Sequence, residues 1–488
     1  MMMISAVLFT LLEAARYCEA KKLITINTAS VTESLFAGYV RPLWEEYHLL
    51  AFDATGDDEN RFHTVKAAME ALSNENLAPL DESRFSIGYN LLQIKTVNVD
   101  VKEYRYLSDE GAFEDAVVAY MENHMLSESV KFLYGQYEAI QGMMGEELSA
   151  EDAVYKAETA LKEGDSASDT SESSKESEEE TAYDQLPVVE VKENPLDVFS
   201  MLQQKGILAL VVPDSLSISD KSLSGMECVS ERNLSVGNYK EPIETAWMDK
   251  ILLEQYLGEY LGCFTNVEKN RALSYEQEYV IAGKNQDLEN LKIVVNQILR
   301  IREAANLMFL AADSGKQTEA MAVALSLAGG SANPVVVEIV KWGVLAAWAY
   351  VESLLDVRTL LSGERIAMIK NATEWTSDVT GLASSLLTLG KAKNCENGIS
   401  YGGYLGILLF MKSEQELSMG AMDVMEATVR NMEYYSDFKM DRMVLEARIT
   451  MEYCYPSIFL GMEGLTKGMK REFFLKEEKE YSYRKAGA

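Results

Sequence analysis

The chain opens with an apolar run, Met1 to Leu12, that stops at a charged pair, Glu13 and Arg16, and then continues as a helical pattern from Tyr17 to Leu35. This feature constrains the fold more than any other. Apolar turns that feed into an amphipathic helix must find either lipid or a protein core. A membrane-spanning helix takes ~20 apolar residues, and the run before Glu13 is shorter than that. No Lys or Arg precedes it to hold the N-terminus on the cytoplasmic side. The three leading methionines suggest a start site further upstream. The expectation is a membrane-anchor-like N-terminal helix over residues 1–38 and a localisation at the cell membrane, with the body outside. The alternative is an ordinary core helix of a soluble protein.

A second feature divides the chain. Residues 163–182 carry eight acids against one base, Lys175, and no apolar side chain larger than Ala. Such a segment cannot bury enough surface to offset its ordering entropy, so 163–185 reads as an acidic disordered linker. On that basis residues 39–162 form the N-terminal part of an α+β body, and 186–488 form a helix-rich C-terminal part.

Periodicity supplies the elements, and the fold class is helix-rich α+β. Val97, Val99 and Val101 alternate with Asn98, Asp100 and Lys102, which predicts an antiparallel strand within 84–109. The apolar run at 206–213 predicts a buried strand closing on a Pro-Asp turn. Residues 274–284 fit a strand or a helix end. Residues 440–456 alternate, with Met443, Leu445, Ala447, Ile449, Met451 and Tyr453 on one face. Helices are predicted over 111–161, 194–204, 244–261, 287–313, 315–328, 334–361 and 414–435. In 287–313 the apolar positions Leu288, Leu291, Val295, Ile298, Ala305 and Phe309 recur at helical spacing. The segment 334–351 is apolar enough to suggest a second membrane helix. Glu338 and Lys341 interrupt it, and a buried core helix is the better reading.

Composition narrows the chemistry. With 77 acidic and 45 basic residues the net charge is −32, which argues against a nucleic-acid partner. Three histidines leave little for a His-rich metal site. The five cysteines are scattered without C-x-x-C, so no zinc ribbon is spelled out. One bridge, such as Cys228 with Cys263, fits an oxidising compartment. There is no nucleophile elbow, P-loop, zincin motif or dinucleotide fingerprint. The acidic turn with Asp53, Asp57, Asp58 and Glu59 lacks the EF-hand order. Gly402, Gly403 and Gly406 suit a helix start better than a phosphate loop. The reading is therefore non-enzymatic, with no cofactor and no metal. Glu13 and Arg16, three apart on one helical face, are the candidate assembly or membrane-boundary residues.

Several blocks together resemble a family. They are LLEAARYCEA near the start, RPLWEEYHLLAFD at 41–53, NPLDVFSMLQQKGILALVVPD at 194–214 and SDKS at 219–222. Two longer blocks follow at 274–313 and 345–370. They resemble an uncharacterised family of Gram-positive bacterial proteins, a domain of unknown function found with Tad-type pilus components. The N-terminal block is also similar to TadE/TadG-like pseudopilins, which place an acid and then, three residues on, an Arg at the end of an apolar helix. Glu13 and Arg16 match that pattern, although residues expected ahead of the apolar stretch, including a prepilin-peptidase site, are missing. The resemblance implies an envelope-anchored, pilin-like component of a Tad-type pilus or secretion assembly. Its partners would be other pilin-like subunits, the assembly machinery, and the membrane through the N-terminal helix. The alternatives are a soluble scaffold and a surface enzyme.

Overall fold

The computed structural model describes residues 2–54, 62–78, 92–122, 135, 150–168, 191–212, 216–240, 247–329, 333–388, 390–459 and 472–486. The chain forms two compact units, each drawn from several segments. Unit 1 holds residues 1–125, 225–256 and 414–488, and unit 2 holds 126–224 and 257–413. Whereas the sequence divides the chain linearly at 163–185, these units interleave along it. Strand pairing explains this for unit 1, because the strands that meet come from both ends of the chain. The acidic segment itself lies outside the described residues from 169 onward; before that, a helix runs into it as far as Ser168. The acidic cluster Asp57, Asp58 and Glu59 also lies outside the described residues.

Unit 1 is built on an antiparallel sheet. Strand β1 is Phe52–Asp53, β2 is Lys95–Tyr106, β3 is Met443–Pro456 and β4 is Glu472–Ser482. Strand β3 is the hub: β2, β4 and β1 all pair with it antiparallel. Its predicted face is buried throughout, with Met443, Ala447, Ile449, Met451 and Tyr453 all fully covered. The opposite face holds Glu446 and Arg448, which find charged partners on β2 and β4. Strand β2 keeps the valine alternation within 84–109, although residues 84–91 lie outside the described ones. Strand β4 has no apolar alternation to announce it; Lys476 to Glu480 are all charged.

Helix α1, Met2–Phe36, packs on this sheet. Its buried positions, Glu13, Arg16, Ala20, Ile24, Asn27, Thr28, Val31, Thr32 and Phe36, recur every three or four residues on one face. The polar members find partners, except that the Asn27 side-chain oxygen has none among the described residues. Thr28 and Asn27 meet the Tyr453 hydroxyl at 2.7 and 3.3 Å, and Asn27 also donates to Ser73 at 2.6 Å. Unit 1 further contains α2, Ala112–Met121, which follows the turn after β2.

Unit 2 is helical. Its main elements are α3, Ala150–Ser168; α4, Asp287–Ala312; α5, Ser314–Ala328; and α6, Pro334–Leu361. Helix α6 packs against the other three. Among the described residues α6 alone is long and apolar enough to cross a membrane, and 67% of its apolar window is buried inside the protein. It also carries Glu352 and Asp356, both fully buried. In α4, Leu288 is exposed rather than part of the apolar stripe, while Arg302 is fully buried.

One predicted element is corrected here. Residues 206–213 are not a strand: Ile207–Val211 is a short helix. A short apolar run has no decisive period, and here a partner decides. Arg358 of α6 donates to the Leu210 carbonyl at 2.5 Å, satisfying a helix-end acceptor that no strand neighbour claims. Of the two readings of 274–284, the helix holds, over Glu276–Ala282. The five cysteines are free thiols, Cys228 and Cys263 included.

Candidate functional site

Along α1 the environment changes abruptly at Glu13. Before it most large apolar side chains are bare: Ile4 is 76% exposed, Leu11 63% and Leu8 54%. From Glu13 on, one face is buried. Residues 4–12 are therefore not the core helix of the alternative reading.

Glu13 and Arg16 mark the change, and the structure brings them together at 2.7 Å, both buried. They are not a surface pair. Glu13 Oε1 also accepts from the Tyr455 hydroxyl at 2.9 Å, and its Oε2 accepts from the backbone N–H groups of Phe459 at 2.8 Å and Ile458 at 3.2 Å. The Arg16 guanidinium donates to the carbonyls of Pro456 and Leu92 at 3.4 and 3.5 Å. It also lies 4.9 Å from the Tyr455 ring centre and 5.8 Å from that of Phe459. Phe9, one helical turn earlier, stacks on Phe459 at 6.1 Å. The pair thus ties α1 to the chain leaving β3 at the point where the exposed apolar turns begin. Charge-assisted bonds of this kind are about twice as strong as neutral ones, so the direction in which the helix leaves the sheet is well fixed.

A second polar cluster sits in unit 2. Arg302 of α4 reaches Asp356 of α6 at 2.9 Å. Lys370 reaches Asp356 at 2.5 Å and also pairs with Glu352. All four side chains are at most 1% exposed. Arg302 also donates to the carbonyls of Met368 and Ala367 at 2.7 and 3.0 Å and to the Tyr404 hydroxyl at 3.0 Å. Glu352 accepts from the backbone N–H groups of Ser377 and Thr376 at 2.8 and 3.1 Å. Burial alone would raise the Asp356 carboxyl, but the neighbouring charges of Lys370 and Arg302 hold it below the usual carboxylate range. Two cations and two anions cancel, and every member has partners. Such a network fixes how the 366–378 segment sits on α4 and α6. Sequence reasoning missed it. The available signal was Glu352 and Asp356 four apart in an otherwise apolar helix.

Near it, Glu278 is fully buried and accepts from Phe264 N–H and the Tyr401 hydroxyl, both at 2.8 Å. Burial pushes its carboxyl up to about 7. Among the described residues no group of three His, Cys, Asp or Glu side chains converges to hold a metal ion.

A family model described as a family of unknown function (DUF5702) matches residues 188–455, more than half of the chain. The chain belongs to this family. No curated protein and no solved structure matches it. The matched span takes in α4, α5, α6, the four-charge network and nearly all of β3. Glu13 and Arg16 lie outside it, while their partner Tyr455 is its last residue.

Proposed function

We propose that this protein is a non-enzymatic, envelope-anchored, pilin-like component of a Tad-type pilus or secretion assembly. The observation that carries the reading is the switch in burial at Glu13. An exposed row of Ile, Val and Leu is costly in water, at roughly 25 cal/mol for each Å² left wet. Contiguous apolar surface of this kind marks a membrane or protein contact. The exposed side chains Ile4, Val7, Leu8, Leu11 and Leu12 fall on one face of the helix, a continuous apolar stripe that lipid or a neighbouring apolar helix within it would cover. Behind it, α1 lies on an antiparallel sheet, so one continuous helix links the apolar tip to the folded unit. The Glu13–Arg16 lock at the boundary sets the direction of the tip. In the membrane, the tip would meet other pilin-like helices through close packing. The net charge of −32 suits a solvated body outside the membrane and leaves nucleic acid an unfavourable partner.

The test is fractionation of cells that make a C-terminally tagged chain from its native locus, beside the variant Leu8→Asp/Leu11→Asp. The wild type should sediment with membranes and resist alkaline washing. The variant should move to the soluble fraction with its circular dichroism unchanged, because neither side chain is part of the core. A freely soluble wild type would overturn the anchor and favour a soluble scaffold. A filament-shearing step tests the finer claim: tagged protein in the sheared material, lost with Glu13→Ala, is the expected result.

A further inference from the structure

Unit 1 contains a half-open cavity of about 710 Å³, within the range of small-molecule sites. Its floor is the turn after β2 and the start of α2. One wall is the first turns of helix α7, Glu414–Arg430. The other wall is the strap 236–240, which is firmly held. Arg232 bonds Glu426 and Asp441 at 2.6 Å, and Asn238 bonds both the Tyr104 N–H and the Lys102 carbonyl. Gly237 N–H donates to Asp109 at 2.9 Å; a Cβ at Gly237 would collide with that carboxylate and with the Tyr104 carbonyl. The wall is thus part of the fold.

Acids outnumber bases in the lining: Asp109, Glu110, Glu114 and Glu414 stand against Arg105 and Lys240, and neither Glu110 nor Glu414 has an ion-pair partner among the described residues. Glu114 is buried and accepts from the Ser418 hydroxyl at 2.6 Å. Burial, and after it the charges of Glu414 and Glu110, push its carboxyl up toward the protonated form, a shift that a cation placed beside it would oppose. The cations nearby are engaged: Arg105 with Glu446 at 2.5 Å, and Lys240, at the rim, with Glu103 at 3.8 Å. A separate observation points the same way. Ser108 lines the cavity, is 8% exposed, and its hydroxyl has no hydrogen-bond partner among the described residues. A buried polar group left in that state carries its desolvation penalty with nothing to offset it. Phe113, Met419 and Met422 supply an apolar part of the lining.

We propose that this cavity binds the primary ammonium end of an alkyl chain, with Glu114 and Glu414 as the counter-charges, Ser108 as a further acceptor, and the methionines against the stem. An ammonium has three donors on a compact charge and can satisfy all three groups. A metal ion fits less well, because among the described residues no three carboxylate, thiol or imidazole groups gather as a ligand set. The same chemistry is carried by a free diamine and by a lysine side chain on a polypeptide.

Calorimetric titration of the full chain separates the two sources. The probes are 1,5-diaminopentane and the tripeptide Gly-Lys-Gly, in about 0.15 M salt to screen the surface charge. Saturable one-site binding of either probe is expected; the diamine alone identifies a free amine and the tripeptide alone a protein-borne lysine. Glu414→Gln and Glu114→Gln should each weaken binding about tenfold or more, and Ser108→Ala several-fold. The control Glu33→Gln removes the same single charge elsewhere in unit 1 and should leave binding unchanged. If Glu114→Gln unfolds, Glu414→Gln at its half-exposed position still decides. Absence of binding by both probes, or equal weakening in the control, would overturn the proposal.

Discussion

Lys370 faces two carboxylates at once, and its removal is the sharpest residue-scale test of the unit 2 core. In Lys370→Met, Glu352 and Asp356 would share a dry site with only Arg302 to balance them. Breaking a buried ion pair from one side costs about 3–5 kcal/mol. The expected result is a loss of that size in denaturant unfolding of unit 2. Adding Glu352→Gln removes the orphaned charge while keeping an acceptor for Ser377 N–H, and should recover a large part of the loss. If the double variant is no more stable than the single one, the network is not electrostatic in origin. The same residues show what a sequence withholds. The three-residue spacing of Glu13 and Arg16 was legible, because helical neighbours meet. Their partners Tyr455, Ile458 and Phe459 were not, because contacts some 440 positions away in the chain leave no local pattern. Arg302 was hidden for a different reason. It occupies a core position of α4, and a charge there looks like an interruption of the stripe until its partners are known.

At the scale of elements, long periodic segments were readable and short ones were not. Helix α4 matches the predicted 287–313 to within a residue, and α6 matches 334–361, because several turns repeat one signal. Strand β3 was readable for the same reason. The five-residue helix at Ile207–Val211 was misread because its length shows no period, and β4 was missed because charges occupy both its faces. Packing between α3 and α6 depends on a detail that periodicity does not show. Gly343 sits where a Cβ would collide with the Ala157 Cβ, and it would also come within 3.2 Å of Leu196 Cδ2. The absent side chain lets the helices approach closely. Gly343→Ala gains about 1 kcal/mol of helix propensity but overpacks a contact worth about 1–3 kcal/mol, and the obstructing atom cannot swing aside. A net loss of about 1 kcal/mol or more is expected in the melting of unit 2. Ala157→Gly in the same chain should restore most of the packing term; no rescue would show that the close approach is not the cause.

For the whole molecule the excess of acid makes stability a function of pH, and the sign follows from where the acids sit. Burial raises Glu254 to about 8, with Lys250 opposing, and Glu278 to about 7. In the unfolded chain both return to about 4.3. Between those limits the native state holds protons that the unfolded state has released, so stability falls as pH rises from about 4.3 to about 7–8 and then levels off. Carboxylates shifted the other way act at lower pH. Burial alone would raise Asp441, but the hydrogen bond and charge of Arg232 hold it below its ordinary value. That contribution is full above the ordinary value and is lost as pH falls through the lowered one. Stability should therefore peak on the mildly acid side of neutrality. The net charge of −32 adds repulsion in the same direction as pH rises, but salt distinguishes the two causes. Screening reduces repulsion between exposed charges and does little for a buried carboxyl. Scanning calorimetry from about pH 5 to about pH 9, at low and high salt, should show a melting temperature that declines with pH in both. The decline should be shallower at high salt and shallower again in Glu254→Gln. A profile that becomes flat in salt alone would assign the whole effect to the surface, and would mean that Glu254 and Glu278 do not hold protons in the native state.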